Sequence, residues 1–218
     1  TTLLDWFHHW ELTQPQAVYL TQPAGAAVTD YTWAEVGDQA RRMAGHLKAL
    51  KFPPRSHIGL LSKNCAHWII ADLAIWMAGH ATVALYPTLN AETVRYILEH
   101  SESRLVFIGK LDDWEEMAPG VPEDLPRVAM PLAPKTDYPR WADIIASFDP
   151  ISDSPSPPPE QLALICYTSG STGRPKGVMH SFASISVPGQ HFGRELEVNS
   201  SDRVLSYLPL AHVMERAV

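Results

Sequence analysis

The first half of the chain repeats apolar residues at the spacing of an amphipathic helix. The clearest case follows "YTWAEV" at residues 31–36, where Thr32 and Glu35 form a capping box. Beyond that box apolar residues recur at intervals of three and four, at Val36, Ala40, Met43, Leu47 and Leu50. This period places one apolar stripe along a helix. We therefore predict a helix from about Trp33 to Leu50.

Short apolar runs alternate with the helical segments, as expected of strands buried on both faces. Gly79 stands where a helix C-cap belongs, and Asn90 is placed to cap the next helix. The predicted strands are residues 57–61, 81–86 and 105–109, and the predicted helices between them are residues 66–77 and 90–99. Strands and helices in this order favour right-handed crossovers and a mostly parallel sheet. The predicted fold class is α/β, with mostly parallel sheets and flanking helices.

Proline dominates the next part of the chain. Eleven of the nineteen prolines fall between Pro119 and Pro159, and the run ends in "PISDSPSPPPE". Such a run excludes a helix or a central strand and is typical of an extended, semi-rigid linker. We predict a first α/β lobe over residues 1–149, a linker over 150–160 and the start of a second lobe over 161–218.

The second lobe is predicted to open with the strand "LALICYT" at residues 162–168. A glycine-rich loop follows, and then a helix that runs to about Phe192 and bends near Pro188. The run "RVLSYL" at residues 203–208 predicts a further strand.

Composition and charge narrow the class of protein. The 218 residues are 45% hydrophobic and 19% charged, which is ordinary for a globular protein. A formal net charge of −7 argues against nucleic acid or an anionic membrane as the main partner. Cys65 and Cys166 lie in apolar runs without metal-ligand spacing, which favours reduced thiols in a cytoplasmic protein.

Neither a secretory signal nor a membrane span is predicted. The N-terminus "TTLLDWFHHW" lacks a basic region followed by a long apolar one. The longest apolar stretch, residues 68–86, is interrupted by Asp72 and His80 and is more typical of a helix followed by a strand. Peripheral contact with a membrane is compatible with these features, and the sequence leaves the oligomeric state open. Because neither end has the features of a terminus, we expect a fragment of a longer protein.

The loop "YTSGSTGRPKGVMH" at residues 167–180 carries the candidate chemistry. Its glycines free backbone N–H groups to converge on an anion, and the helix expected after it would add its positive end. Its hydroxyls add donors and can ligate Mg²⁺, while Arg174 and Lys176 can neutralise charge. A strand, a glycine-rich loop and a helix in this order predict a phosphate-binding site.

Two other phosphate or hydrolase motifs are absent from this loop. A Walker A loop has its second glycine five positions after the first and a lysine directly after that second glycine. Here Pro175 stands five positions after Gly170, so the pattern is not met. The Gly-x-Ser-x-Gly elbow of hydrolases is also missing. A surface linker with incidental charges is the alternative, although linkers are rarely flanked so closely by a buried strand and a helix.

The loop closely resembles the phosphate-binding signature of the adenylate-forming enzymes, which include acyl-CoA synthetases, luciferases and peptide-synthetase adenylation domains. Other segments agree in order along the chain. "YTWAEV" (31–36), "MAGHATVALYPT" (77–88) and "SYLPLAHVME" (206–215) are similar to further family motifs, the last in the wording of long-chain fatty acyl-CoA synthetases. The resemblance implies that the chain is part of the large N-terminal domain of such an enzyme.

What the resemblance implies is a two-step reaction. A medium- or long-chain carboxylic acid attacks the α-phosphate of Mg-ATP to give an acyl-adenylate, and coenzyme A then displaces AMP. The implied phosphate ligands are Thr168, Ser169, Gly170, Ser171, Thr172 and Gly173. Thr172, or Ser171, would also lie near Mg²⁺, and Lys176 would contact the outgoing pyrophosphate. Arg174 stays unassigned.

His212 is the second implied catalytic residue, beside the reacting carboxylate, with packing at a strand end as the alternative. The chain lacks the family's later motifs and its adenylation lysine, so we expect these 218 residues alone to be inactive. Two other functions stay open. One is an adenylation domain that loads a carrier protein, and the other is a non-catalytic nucleotide-binding module of the same fold.

Overall fold

The computed structural model describes residues 1–154, 156–168, 173–213 and 215. Within them the strands are β1 (Val18–Ala24), β2 (Ala27–Thr32), β3 (His57–Leu61), β4 (Ala81–Leu85), β5 (Leu105–Ile108), β6 (Arg127–Ala129), β7 (Leu162–Thr168) and β8 (Lys176–Ser181). β1 and β2 form an antiparallel hairpin. The other strands form one sheet in the order β6-β5-β3-β4-β7-β8.

Helices flank this sheet. In the same part of the chain they are α1 (Leu3–Thr13), α2 (Trp33–Ala49), α3 (Ala66–Met77), α4 (Ala91–His100), α5 (Trp114–Met117), α6 (Trp141–Ser147) and α7 (Phe182–Glu195). Among the helices of these residues, none is both long and apolar enough to cross a membrane.

Strands β3 to β7 run parallel, and only the pairing of β7 with β8 is antiparallel within this sheet of described strands. Parallel strands need a crossover, and α3 and α4 supply crossovers in the first half of the chain. Because every crossover returns the chain to the same end, the carboxyl ends of β3, β4 and β7 meet at one edge of the sheet.

Alternate residues of the central strands enter two different cores. In β5, Leu105 and Phe107 pack with α2 and α3, whereas Val106 and Ile108 pack with α4 and α5. All five residues of β4 are buried. Strands covered on both faces are mostly apolar, which is why these runs do not alternate regularly with polar residues.

The predictions for the first half of the chain are confirmed. Helix α2 begins after Thr32, whose side chain accepts from the Glu35 N–H at 3.2 Å while Glu35 accepts from the Thr32 N–H at 2.8 Å. Gly79 has a φ of +83°, as the predicted C-cap requires. The Asn90 side chain accepts from the Thr93 N–H at 2.8 Å and starts α4. The predicted α/β class with a mostly parallel sheet is therefore correct.

The prediction of a helix directly after the glycine loop is wrong. Residues 176–181 form β8, which pairs with β7, and α7 begins only at Phe182. Gly177 and Val178 are poor helix formers, and β7 offers them a free edge. Since β8 runs antiparallel to β7, α7 begins at the end of the sheet where β7 starts, whereas the loop lies at the end where β7 stops. The positive end of α7 therefore cannot contribute to binding an anion at the loop. The helix also extends to Glu195, with Pro188 inside it.

The predicted strand at residues 203–208 is also wrong, because this segment is irregular. Val204, Leu205 and Tyr207 are largely exposed, and none of the described strands lies beside them. A strand needs a neighbour for its backbone groups.

Residues 150–160 connect α6 to β7, and β7 lies beside β4 in the main sheet. The start of the predicted second lobe thus shares a sheet with the first. The domain boundaries at 149 and 161 stay a prediction.

Candidate functional site

The candidate site lies at the edge of the sheet where β3, β4 and β7 end. These strands finish at Leu61, Leu85 and Thr168. Ligands of open α/β sheets bind outside the carboxyl ends of the strands. The glycine loop leaves β7 at this edge, so the fold places it where a ligand is expected.

The part of the loop between Thr168 and Lys176 connects β7 to β8, and the two strands form a β-hairpin. Thr168 and Lys176 are cross-strand partners at its mouth, and both are exposed. The structure therefore brings together a predicted phosphate ligand and the predicted pyrophosphate contact on either side of the loop. Predicted ligands Ser169, Gly170, Ser171 and Thr172 lie outside the described residues, and their roles, including the Mg²⁺ position of Thr172, stay predictions.

Gly173 adopts a backbone conformation that other residues avoid. Its φ is +87°, and a Cβ built on it would have no heavy atom within 4 Å among the described residues. The need for glycine there is thus conformational, since other residues lose about 1–2 kcal/mol in this region.

Helix α4 holds both arms of this hairpin. Tyr96 donates its hydroxyl to the carbonyl oxygen of Pro175 at 3.2 Å, and the guanidinium of Arg174 lies 5.8 Å from the centre of the Tyr96 ring. One turn further on, His100 Nδ1 lies 2.7 Å from the hydroxyl of Tyr167. Burial raises the pKa of Tyr167 to about 12, so the phenol stays protonated at neutral pH.

Residues 206–210 dock at the same edge of the sheet through Asn64, which follows β3. The Asn64 amide donates to Ser206 Oγ at 2.8 Å and to the Leu208 carbonyl at 2.6 Å, and its oxygen accepts from the Leu210 N–H at 2.9 Å. Leu210 and Ala211 are buried directly afterwards.

His212 follows these buried residues and is exposed, with its backbone N–H donating to the Pro209 carbonyl at 2.8 Å. The structure therefore brings His212 to the edge that carries Lys176, although at the end of an irregular segment and not of a strand. Its role beside the reacting carboxylate stays a prediction.

The sequence alone predicted no role in this site for three of its side chains, namely Asn64, Tyr96 and His100. Tyr96 and His100 lie at the i, i+4 spacing that places two side chains on one helix face, and their rings stack with centres 5.2 Å apart. That spacing was a usable signal. Nothing in the sequence linked Asn64 to a segment 142 positions later.

A cleft of about 510 Å³ lies next to this edge, between the β4–α4 turn and α5. Among the described residues, its lining includes the carboxylates of Glu92, Asp113 and Glu116 and no lysine or arginine. Like charges repel, so this cleft does not fit a triphosphate. Among the described residues no group of three His, Cys, Asp or Glu side chains could hold a metal ion.

The chain belongs to the AMP-binding enzyme family, whose model matches residues 7–218. The resemblance to adenylate-forming enzymes is thereby confirmed. Fatty acyl-CoA synthetase A of Dictyostelium discoideum is 33% identical over 207 residues, which are 87% of this chain and 31% of the relative. The human long-chain-fatty-acid–CoA ligase 1 is 32% identical over 191 residues, 78% of this chain and 27% of the relative. The chain thus spans less than a third of either relative.

Solved structures agree on the fold. The acetoacetyl-CoA synthetase from Streptomyces lividans superposes with a TM-score of 0.87 at 21% identity, over 99% of this chain and 36% of that one. At this identity the likeness shows the fold alone. That fold is the N-terminal part of an adenylate-forming enzyme.

Proposed function

We propose that the full-length protein activates a medium- or long-chain fatty acid with ATP and transfers the acyl group to coenzyme A. Membership of the AMP-binding family supports the use of ATP. Relatives named as fatty acyl-CoA synthetases, at 32–33% identity, support the substrate class. The observation that carries the proposal is the hairpin mouth, where Thr168 and Lys176 face each other across a glycine loop at the ligand-binding edge of the sheet.

In this proposal the loop handles the charge of the triphosphate. The Gly173 N–H and the Thr168 hydroxyl donate to phosphate oxygens, and the Lys176 ammonium lies against the pyrophosphate that leaves. Preorganised donors of this kind stabilise charge where it develops, at no cost of reorganisation during the reaction. Mg²⁺, held with the help of Thr172, would supply further positive charge to the phosphates.

His212 would orient the substrate carboxylate. A carboxylate is ionised at neutral pH and is already an adequate nucleophile, so the imidazole need not move a proton. Its contribution is to hold the carboxylate in line with the α-phosphate, and positioning of this kind can be worth several kcal/mol.

The location in the cell is part of the proposal. Cys65 and Cys166 are buried thiols that form no disulfide, which suits a reducing compartment such as the cytoplasm.

The test is pyrophosphate exchange by the full-length protein with fatty acids of graded chain length, followed by acyl transfer to coenzyme A. Exchange that rises with a medium or long chain, with acyl-CoA as the product, is the expected result. Exchange with amino acids and transfer only to a carrier protein would show a carrier-loading adenylation domain. ATP binding without exchange for any acid would show a non-catalytic module.

A further inference from the structure

We propose that Tyr96 is a positioning residue for Lys176, and that Arg174 serves to anchor the loop on Tyr96 and is not a phosphate ligand. This inference rests on the proposed function of the hairpin and extends it to helix α4. We call the contacts of Tyr96 and His100 with Arg174, Pro175 and Tyr167 the α4 clamp.

The first contact of the clamp fixes the peptide that leads into Lys176. Tyr96 donates to the Pro175 carbonyl at 3.2 Å. This carbonyl belongs to the planar peptide unit that also carries the Lys176 nitrogen. Pro175 has a fixed φ as well, so the hydrogen bond orients a segment with few free torsions. Lys176 itself is exposed. The orientation of this peptide sets the direction in which the Lys176 side chain projects from β8.

The second contact fixes the other arm of the hairpin. His100 holds the hydroxyl of Tyr167, the residue before Thr168. Tyr167 pairs across the hairpin with Gly177. A Cβ at Gly177 would lie 3.2 Å from the Tyr167 ring atom Cζ and 3.1 Å from Ile165 Cγ2, closer than ordinary contacts. Glycine at this position therefore leaves the room in which the Tyr167 side chain lies.

The rings of Tyr96 and His100 stack, so the two contacts are mechanically linked on one face of α4. Both arms at the mouth of the loop are thereby tied to one rigid element. Sites held by rigid elements keep their geometry better than sites held by loops alone.

Arg174 completes the clamp. Its guanidinium lies over the Tyr96 ring, with its carbon 5.8 Å from the ring centre, within the range of a cation–π contact. This location on the α4 side of the hairpin gives Arg174 a partner within the protein. Lys176 is then the cation of the loop that is left for the anion, beside the loop N–H groups and hydroxyls.

The test compares variants of the full-length protein. Tyr96→Phe removes the hydrogen bond to Pro175 and keeps the ring, and Tyr96→Leu removes both contacts. Tyr138→Leu is the matched control, because Arg127 lies 5.4 Å from the Tyr138 ring centre in the same kind of contact and belongs to β6, at the opposite side of the sheet from β8. We measure amide exchange over residues 173–181 without nucleotide, ATP affinity by calorimetry and single-turnover adenylate formation.

The expected result is faster exchange over residues 173–181 in both Tyr96 variants and wild-type exchange in Tyr138→Leu. Adenylation falls about fivefold in Tyr96→Phe and about 20-fold in Tyr96→Leu, from the usual strength of a hydrogen bond and a cation–π contact. The dissociation constant for ATP changes less than about threefold, because a misplaced Lys176 acts mainly on the leaving pyrophosphate.

A double-mutant cycle decides the role of Arg174. If Arg174 acts through Tyr96, Arg174→Ala lowers the adenylation rate in the wild type and has no further effect in Tyr96→Leu. If Arg174→Ala weakens ATP binding more than tenfold in both backgrounds, Arg174 is a phosphate ligand and the inference is wrong. Unchanged amide exchange in Tyr96→Leu also overturns the clamp. Amide exchange needs no turnover. A protein that forms no adenylate would therefore refute the proposed function, and amide exchange would still test the clamp.

Discussion

Replacing Gly173 by alanine separates the role of the loop's conformation from the role of its charges. With φ at +87° and no neighbour within 4 Å of an added Cβ among the described residues, the substitution causes backbone strain and no clash. The strain of a left-handed residue with a Cβ is about 1–2 kcal/mol, which lowers the population of the native loop conformation about five- to thirtyfold. We expect single-turnover adenylate formation by the full-length protein to fall by that factor.

Gly79 provides a matched control. Its φ is +83°, it also has open space where a Cβ would be, and it lies at the end of α3 in the turn into β4. Gly79→Ala should therefore lower the free energy of unfolding by about 1–2 kcal/mol and leave adenylation and ATP affinity unchanged. Urea unfolding and a quenched-flow assay measure the two quantities.

The pair of variants has an outcome that refutes the reasoning. If Gly173→Ala forms adenylate at the wild-type rate and binds ATP as the wild type does, the conformation of Gly173 has no part in the site. If both glycine variants lose adenylation equally, the loss follows global destabilisation and not the loop.

Three further predictions concern Lys176, His212 and His67. Lys176→Ala removes one charge-assisted contact, so adenylation should slow about ten- to a hundredfold at saturating ATP, and unchanged turnover would exclude the proposed role. His212→Ala should slow single-turnover adenylation at least about tenfold with little change in ATP affinity, and His212→Phe should keep part of the rate if the role is mainly steric. A wild-type rate in His212→Ala would show that the imidazole has no part in adenylation. Burial lowers the pKa of His67 from 6.5 to about 4, so the folded state favours neutral imidazole. The contribution of neutral His67 to the free energy of unfolding is therefore complete above pH 6.5 and declines by about 3 kcal/mol as the pH falls towards 4. His67→Gln should remove that part of the pH dependence of urea unfolding.

The sequence was informative wherever one segment carried its own signal. The capping box at Thr32 and Glu35 and the C-cap at Gly79 are local, and the structure has both. The glycine loop was located for the same reason. Its composition and its place after a buried strand need no knowledge of distant residues.

The parts that sequence reasoning missed depend on distant partners. Residues 176–181 became a strand because β7 has a free edge, which propensity does not report. Residues 203–208 have the pattern of a strand but no partner among the described strands. The segment is held instead by the side chain of Asn64. The contacts of Tyr96 with the loop span 79 positions, and only the tertiary fold brings them together.

The strand order β3-β4-β7 sets the time at which the edge of β4 is covered during protein synthesis. Thr82 of β4 pairs with Leu164 of β7, 82 positions later in the chain (164 − 82). At a translation rate of roughly 5–20 residues per second, β7 emerges about 4–16 seconds after β4. Before β7 appears, β3, β4 and β5 can already be paired, while one side of the fully buried β4 has open hydrogen-bonding groups. An open apolar edge is a template for pairing with other chains. The growing chain is therefore most exposed to aggregation before β7 appears, and chaperones that bind apolar strands would act in that interval.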